Sequence, residues 1–178
     1  MDSVVSWIAL VLAVIEGFVL VLVLREIAVL RVTGGGRRSG LRLDALLPAY
    51  RARTLSGRDL AIDTLRRTLL LFVSADCALC RTLVKDLRQL PRSALPPLVI
   101  GVSSFTEIDP ANPFVRSLGF LGPDAIVLDD RRELFARVEA PVTPWAYVIN
   151  ANGRVRGSGV PRSAKELGEM AVAVTGQS

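Results

Sequence analysis

Residues 69–81 read LLLFVSADCALCR, and this stretch decides how the rest of the chain is arranged. Together with Thr68, its first part is a continuous apolar run with the length of a central, buried β-strand. A short turn follows, and a helix is predicted from about residue 77 to residue 90. Ser74 and Asp76 stand just before that helix and belong to residue types that commonly cap a helix N-terminus. The stretch therefore predicts a strand, a turn and a helix in direct succession.

Cys77 and Cys80 are the only cysteines among 178 residues. A helix places residues i and i+3 on one face, so the two thiols can close into a disulfide or reopen as a dithiol. The unpaired N–H groups of a helix N-terminus favour the thiolate of the first cysteine. We therefore expect Cys77 to be the exposed nucleophile and Cys80, one turn further on, to be the more buried second thiol. The alternative is a pair of small core residues.

The chain contains no histidine. This excludes imidazole acid–base catalysis, Ser-His-Asp and Cys-His nucleophile systems, and imidazole metal sites. Two cysteines without histidine do not make a four-ligand zinc site in one chain. The chemistry must rest on thiols or carboxylates, and we expect neither a metal nor a cofactor.

The formal net charge is +5 and the sequence pI is near 10.0. A basic chain raises the question of nucleic acid binding, but no basic run is interleaved with aromatic residues. Solvated arginines on the surface are the better explanation of the charge. We therefore expect no nucleic acid partner.

Residues 4–24 are almost wholly apolar and read VVSWIALVLAVIEGFVLVLVL. At about 1.5 Å per residue they span roughly 30 Å, the thickness of a bilayer core. No basic segment precedes them and no small-x-small cleavage site follows, which favours an uncleaved anchor over a signal peptide. The predicted organisation is an anchor helix with an interfacial extension over 1–32, a Gly/Arg-rich tether over 33–40, and a globular domain over 41–178.

Glu16 lies near the middle of the predicted span. An ionisable group at that depth is costly, so it is predicted to face a partner helix or a polar cavity, or else to be a protonated side chain tolerated in a lone helix. Arginines follow the span and none precedes it, so the positive-inside rule alone places the domain in the cytoplasm. They are Arg25, Arg31, Arg37, Arg38 and Arg42.

The rest of the chain alternates between predicted strands and helices, which indicates an α/β sandwich around a mixed sheet. The elements are a hairpin over 50–62, strands over 98–103, 125–128 and 144–149, short helices over 112–118 and 132–138, a hairpin turn at 152–153, and a closing helix over 163–174. Ser163 and Glu166 are predicted to form a capping box. Four leucines of the helix after the cysteines have core spacing: Leu79, Leu83, Leu87 and Leu90.

The strand–CxxC–helix unit, followed by Val142-Thr143-Pro144 at a strand start and by an Asn-Gly hairpin, resembles the thioredoxin-like superfamily. The hairpin before the motif is similar to that of the membrane-tethered TlpA and ResA branch. The likeness is closest to the MauD family of methylamine-utilization accessory proteins. It rests on the stretch over residues 25–30 and on Phe-Val-Ser-x-x-Cys-x-x-Cys over residues 72–80.

The resemblance implies a thioredoxin-like fold, with a mixed central sheet flanked by helices and an N-terminal β-hairpin extension. It implies a membrane-anchored thiol–disulfide oxidoreductase that reduces, forms or isomerises disulfides in a partner protein, plausibly during maturation of an exported enzyme. Pro144 is expected to be cis and Thr143 to contact the dithiol, so both are expected to bind substrate. The domain is then expected outside the cytoplasm, against the arginine count, with Glu16 free to contact a membrane electron-transfer or assembly partner.

Two departures from the thioredoxin pattern leave the direction of electron flow open. Asp76 stands where thioredoxins have tryptophan, and Ala78-Leu79 stand where they have Gly-Pro. Such folds often use a buried carboxylate as proton acceptor for the second thiol. Glu107 and Asp63 are candidates, but each reads equally well as a solvated surface residue.

Three alternatives remain. A peroxiredoxin also carries a reactive cysteine on a helix after a strand, but its Pro-x-x-x-Thr-x-x-Cys motif is absent. The domain could be a non-catalytic membrane assembly or binding subunit, although the intact CxxC argues against that. Two thiolates could also carry copper(I) or an iron–sulfur group, which soft ligands suit.

Overall fold

The computed structural model describes residues 40–91 and 95–175. The predicted anchor over 1–32 and the tether up to residue 39 lie outside the described residues. In the part of the chain that is described, no helix is long and apolar enough to cross a membrane.

Seven strands and four α-helices make up the described domain. The strands are β1 (Arg51–Arg53), β2 (Asp59–Ala61), β3 (Thr68–Val73), β4 (Leu98–Ser103), β5 (Ile126–Asp129), β6 (Trp145–Ile149) and β7 (Val155–Gly159). The helices are α1 (Ala78–Gln89), α2 (Pro113–Ser117), α3 (Glu133–Arg137) and α4 (Ala164–Thr175). Short 3-10 turns cover Ile62–Thr64, Gly119–Leu121, Pro123–Ala125 and Asp130–Arg132.

Five strands form the central sheet in the order β5-β4-β3-β6-β7. β3 is parallel to β4, and β4 is parallel to β5, whereas β6 is antiparallel to both β3 and β7. All six residues of β3 are buried, as expected for the middle strand of a sheet covered on both faces. The predicted central strand over 68–73 is therefore confirmed residue for residue. The mixed sheet flanked by helices is confirmed as well.

Alternate residues of β3 point to opposite faces of the sheet and build two cores. Leu69, Leu71 and Val73 pack with Cys80 and other apolar residues of α1 and α4. Leu70 and Phe72 pack with residues of α3 and the β1–β2 hairpin. Each fully buried leucine contributes about 1.5–3 kcal/mol to folding, so β3 is the anchor of both layers.

A close approach between β3 and β4 requires glycine at position 101. Phe72 pairs with Gly101 across the two strands, and a Cβ added at this glycine would lie 2.9 Å from the ring of Phe72. The strand residue without a side chain therefore makes room for the largest side chain of β3. A side chain at Gly101 would force the ring of Phe72 out of its place in the core.

The predicted hairpin over 50–62 is confirmed as the antiparallel pair β1–β2. It forms its own two-stranded sheet and contacts the edge of the central sheet at β5. There the N–H of Leu55 donates to the carbonyl of Ile126 at 2.7 Å. The other edge of the sheet, β7, is lined by the residues that precede the hairpin, because the N–H of Asp44 donates to the carbonyl of Val155.

The predicted capping box of the last helix forms in part. The N–H of Glu166 donates to the hydroxyl of Ser163 at 3.2 Å, as the pattern requires. The carboxylate of Glu166 instead accepts from the N–H of Arg162 at 2.8 Å, one residue before the expected donor. The helix start is capped in both directions, with one partner shifted.

Candidate functional site

Cys77 and Cys80 form a disulfide at the N-terminus of α1, with their Cα atoms 5.2 Å apart. Cys77 is itself the N-cap residue, and its Sγ accepts from the N–H of Cys80 at 3.1 Å. A sulfur therefore occupies the place where a helix N-terminus favours negative charge. The fold brings the two thiols together as the spacing predicts.

The prediction that Ser74 or Asp76 caps this helix is wrong. The helix begins only at Ala78, which is one residue later than a cap by Asp76 would place it and three residues later than a cap by Ser74 would. The hydroxyl of Ser74 accepts from the N–H of Asp76 at 3.4 Å, within the turn, and the Asp76 side chain is exposed. The cap position passes to Cys77.

The two sulfurs differ in exposure. Cys80 is fully buried against the apolar core on the α1 face of the sheet, whereas Cys77 is half-buried. A large substrate can therefore reach Cys77 and not Cys80. This asymmetry is what a nucleophile and a second, resolving thiol require.

The segment before β6 faces the disulfide. The peptide bond between Thr143 and Pro144 is cis, as expected, and the carbonyl oxygen of Thr143 lies 3.4 Å from Sγ of Cys77. Pro144 is buried and Thr143 is half-buried. The structure therefore brings together the four predicted site residues: Cys77, Cys80, Thr143 and Pro144.

Leu79 was expected in the core and lies instead at the surface, 36% exposed. The buried face of α1 passes through Cys80, Leu83, Val84 and Leu87, and a residue one step before Cys80 is rotated about 100° away from it. Val142, just before Thr143, is 38% exposed. The half-exposed sulfur thus has exposed apolar side chains in the two segments that carry the site.

One cation is attached to the turn that leads to the site. Nη1 of Arg81, the residue after the CxxC pair, donates to the carbonyl of Ala75 at 2.7 Å. Its backbone N–H donates to the carbonyl of Cys77 at 3.1 Å. Arg81 therefore contacts both Cys77 and the turn before it, and the sequence pattern did not reveal these contacts.

Neither candidate carboxylate is buried, since Asp63 and Glu107 are both exposed. Among the described residues the one buried carboxylate is Asp129, at the end of β5. Burial raises its pKa above the usual range, although it accepts hydrogen bonds from Ser103, Leu134 and Phe135. Asp129 is two residues after Val127 in β5, so both side chains point to the same face of the sheet. That face is opposite to α1, and Asp129 therefore does not contact Cys80.

No group of three or more cysteine or carboxylate side chains that could hold a metal ion occurs within residues 40–91 and 95–175. The donors at the site are two sulfurs, one of them fully buried. The arrangement is suited to closing and opening a disulfide.

Solved structures share this arrangement of strands and helices. A thio-disulfide isomerase from Thermus thermophilus superposes with a TM-score of 0.57 at 19% identity, over 76% of this chain and 98% of that one. A secreted disulfide oxidoreductase from Mycobacterium tuberculosis gives 0.54 at 23% identity, over 70% and 96%. The chain has a thioredoxin-like fold.

A third thioredoxin-like structure, a secreted thiol-disulfide isomerase from Corynebacterium glutamicum, gives a TM-score of 0.55 at 18% identity, over 74% of this chain and 86% of that one. No family model matches the sequence, and no curated protein matches it. The likeness therefore establishes the fold. The function rests on the site itself.

Proposed function

We propose that this chain is a membrane-anchored thiol–disulfide oxidoreductase that acts on cysteines or disulfides of a partner protein through Cys77 and Cys80. The observation that carries the proposal is the unequal exposure of two sulfurs joined at a helix N-terminus. The neighbours with the same fold are described as thiol-disulfide isomerases and oxidoreductases, which supports it.

In the reducing direction the thiolate of Cys77 attacks one sulfur of a substrate disulfide. A mixed disulfide forms, and the other substrate sulfur leaves as a thiolate that takes a proton from water. Cys80 then loses its proton to solvent and attacks Sγ of Cys77, which releases the second substrate thiolate and leaves the enzyme oxidised. Two electrons pass to the substrate, and the reverse sequence oxidises a substrate dithiol.

Thr143 and Pro144 are proposed to hold the substrate beside Cys77. The carbonyl of Thr143 lies against Sγ of Cys77, so a substrate chain that places its sulfur there also passes along this backbone. An extended segment can pair with exposed backbone groups in the manner of an added strand. Backbone pairing would position many sequences around a cysteine without reading their side chains.

Membrane attachment through residues 4–24 is part of the proposal, supported by the length and apolar character of that run. The MauD-like features and the usefulness of a dithiol where disulfides persist favour a domain outside the cytoplasm, acting in the maturation of an exported enzyme. The arginines that follow the span favour the cytoplasm. Accessibility of a C-terminal tag in intact spheroplasts distinguishes the two placements of the domain. A tag that is protected there would contradict the external placement.

Reduction of insulin by the full chain, with dithiothreitol as electron source, tests the activity. We expect the wild type to accelerate precipitation of the insulin B chain, and Cys77→Ser to remain at the uncatalysed rate. A non-catalytic assembly subunit would leave the rate unchanged in both. A dithiolate metal carrier would do the same but would bind copper(I) stoichiometrically in a titration that both cysteines are needed for.

A further inference from the structure

Arg81 makes a contact that helix formation does not require. Its backbone N–H closes the first turn of α1 on the carbonyl of Cys77, as any residue at that position would. Its guanidinium group, however, turns back across the helix start and donates to the carbonyl of Ala75 at 2.7 Å. Ala75 is two residues before Cys77, so a permanent positive charge is held against the turn that delivers the nucleophile.

The position of this charge relative to Cys77 follows from helix geometry. Cys77 is the N-cap residue and Arg81 follows it by four positions, with its backbone N–H on the Cys77 carbonyl at 3.1 Å, so the Arg81 side chain starts about one helical turn, roughly 5.4 Å, along the axis from Cys77. Bending the side chain toward Ala75 moves its charge past the helix start rather than down the helix. Arg81 is exposed and forms none of the ion pairs found among the described residues, so its charge is not cancelled by a bound carboxylate.

Few other charges face Cys77. Asp76 is next to it in the chain, exposed, and acts in the opposite sense. Residues 140–145, the segment whose Thr143 carbonyl contacts the sulfur, have no ionisable side chain. The remaining neighbours of the two cysteines belong to the apolar core. The electrostatic potential at the Cys77 sulfur is therefore set by the helix N-terminus, by Asp76 and by Arg81.

We propose that Arg81 is a positioning residue that fixes the turn before Cys77 and favours the reduced, thiolate form of the site. This proposal rests on the dithiol function proposed above. It favours one direction of electron flow, from the substrate dithiol to the protein disulfide. Because a thiolate exists only in the reduced protein, a cation held near it shifts the exchange of the protein disulfide with two glutathione molecules toward protein dithiol and glutathione disulfide. Arg81 thus makes the site a stronger oxidant than the same motif without it.

Two measurements on the full chain in mild detergent test the proposal: titration of the Cys77 thiolate by its absorbance at 240 nm, and the equilibrium constant for reduction by glutathione. We expect Arg81→Gln to raise the pKa of Cys77 by about half a unit to one unit, the size of the effect of one nearby charge in a partly solvated site. The equilibrium constant for reduction should fall about three- to tenfold at pH 8. Arg81→Lys, which keeps the charge, should stay within about twofold of the wild type.

Arg88→Gln is the matched control, since it removes the same charge from an exposed position near the far end of the same helix. It should leave both quantities unchanged, and urea unfolding should show that all variants are folded. Equal behaviour of Arg81→Gln and Arg88→Gln would overturn the proposal, and so would a lysine variant that behaves like glutamine. If the wild-type dithiol does not exchange with glutathione and does not reduce insulin, the oxidoreductase proposal itself fails, which is a distinct result.

Discussion

Two strand-to-helix junctions lie at the same edge of the central sheet, because β3, β4 and β5 are parallel. At the first, β3 leads through a short turn to α1, and the cap atom at the helix start is the sulfur of Cys77. At the second, β5 leads to α3, and the carboxylate of Asp129 accepts from the N–H groups of Leu134 and Phe135. Each junction places an atom that can bear negative charge at a helix N-terminus.

The difference between the junctions lies in burial and in the number of partners. Asp129 is 3% exposed, and both carboxylate oxygens are hydrogen-bonded, one of them also to the hydroxyl of Ser103 at 2.6 Å. Cys77 is half-buried, and the contacts of its sulfur are with its own helix and with the Thr143 carbonyl. The free N–H groups of a helix start are therefore used for stability at one junction, whereas at the other they contact a sulfur that is left available for chemistry.

Cys77→Ser gives the largest expected effect. A serine oxygen can take the cap position, so the helix start is retained, but a hydroxyl does not exchange with disulfides. Insulin reduction should fall at least about 100-fold while the urea midpoint of the reduced protein changes little. A variant that keeps measurable activity would show that the sulfur at this junction is not the reacting atom.

Asp129→Ala is expected to lower stability and to leave the redox chemistry of the cysteines unchanged. It leaves two buried N–H groups and the Ser103 hydroxyl without their acceptor, which should lower the free energy of unfolding by about 2–3 kcal/mol. The equilibrium with glutathione should not change, because Asp129 faces away from α1. A shift in that equilibrium with stability unchanged would contradict the separation of the two junctions.

The pH dependence of stability tests whether the carboxyl of Asp129 is buried with a raised pKa. Burial raises the pKa of this carboxyl in the folded protein, so between its ordinary pKa of about 3.9 and the raised value the folded state binds more protons than the unfolded state. Its contribution to stability is complete below the ordinary pKa and declines as pH rises through the raised one. The stability difference between wild type and Asp129→Ala should therefore widen from neutral pH toward about pH 4 in urea unfolding, and a difference that narrows would contradict the direction.

The smallest effect concerns substrate contact beside Cys77. Leu79→Ser removes an exposed apolar side chain between the two cysteines and should lower kcat/KM for insulin about two- to fivefold, with exchange of glutathione unaffected. Leu43→Ser is the control, since Leu43 is also an exposed leucine. It directly precedes Asp44, which bonds the first residue of β7, Val155, away from the cysteines. An equal loss of kcat/KM in both variants would show that Leu79 does not contact the substrate.

Much of the first junction could be predicted from sequence because its signals are local. Five contiguous apolar residues, together with Thr68 before them, gave the bounds of β3, and the spacing of the cysteines placed both sulfurs on one helix face. The cis bond before Pro144 came from resemblance to a family. The helix start was misplaced because the length of the turn after β3 depends on how Ser74 and Asp76 bond each other, which residue type alone does not determine.

The second junction was not predicted because its signal is not local. The sequence shows two aspartates after a strand, and which of them points inward depends on the pairing of Ser103 with Asp129 between β4 and β5. Asp130 instead accepts from the N–H of Ile108. The Arg81 contact was missed for a similar reason, since it depends on the direction that a flexible side chain takes from the helix. Contacts of this kind follow from the assembled fold.

Trapping of the mixed disulfide tests the central claim most directly. Cys80→Ser leaves the exposed sulfur in place and removes the thiol that releases it, so it should accumulate a covalent complex with a protein substrate on a non-reducing gel. Cys77→Ser should accumulate none, because the remaining sulfur is fully buried. A complex formed equally well by Cys77→Ser, or by neither variant, would contradict the assignment of Cys77 as nucleophile and Cys80 as resolving thiol.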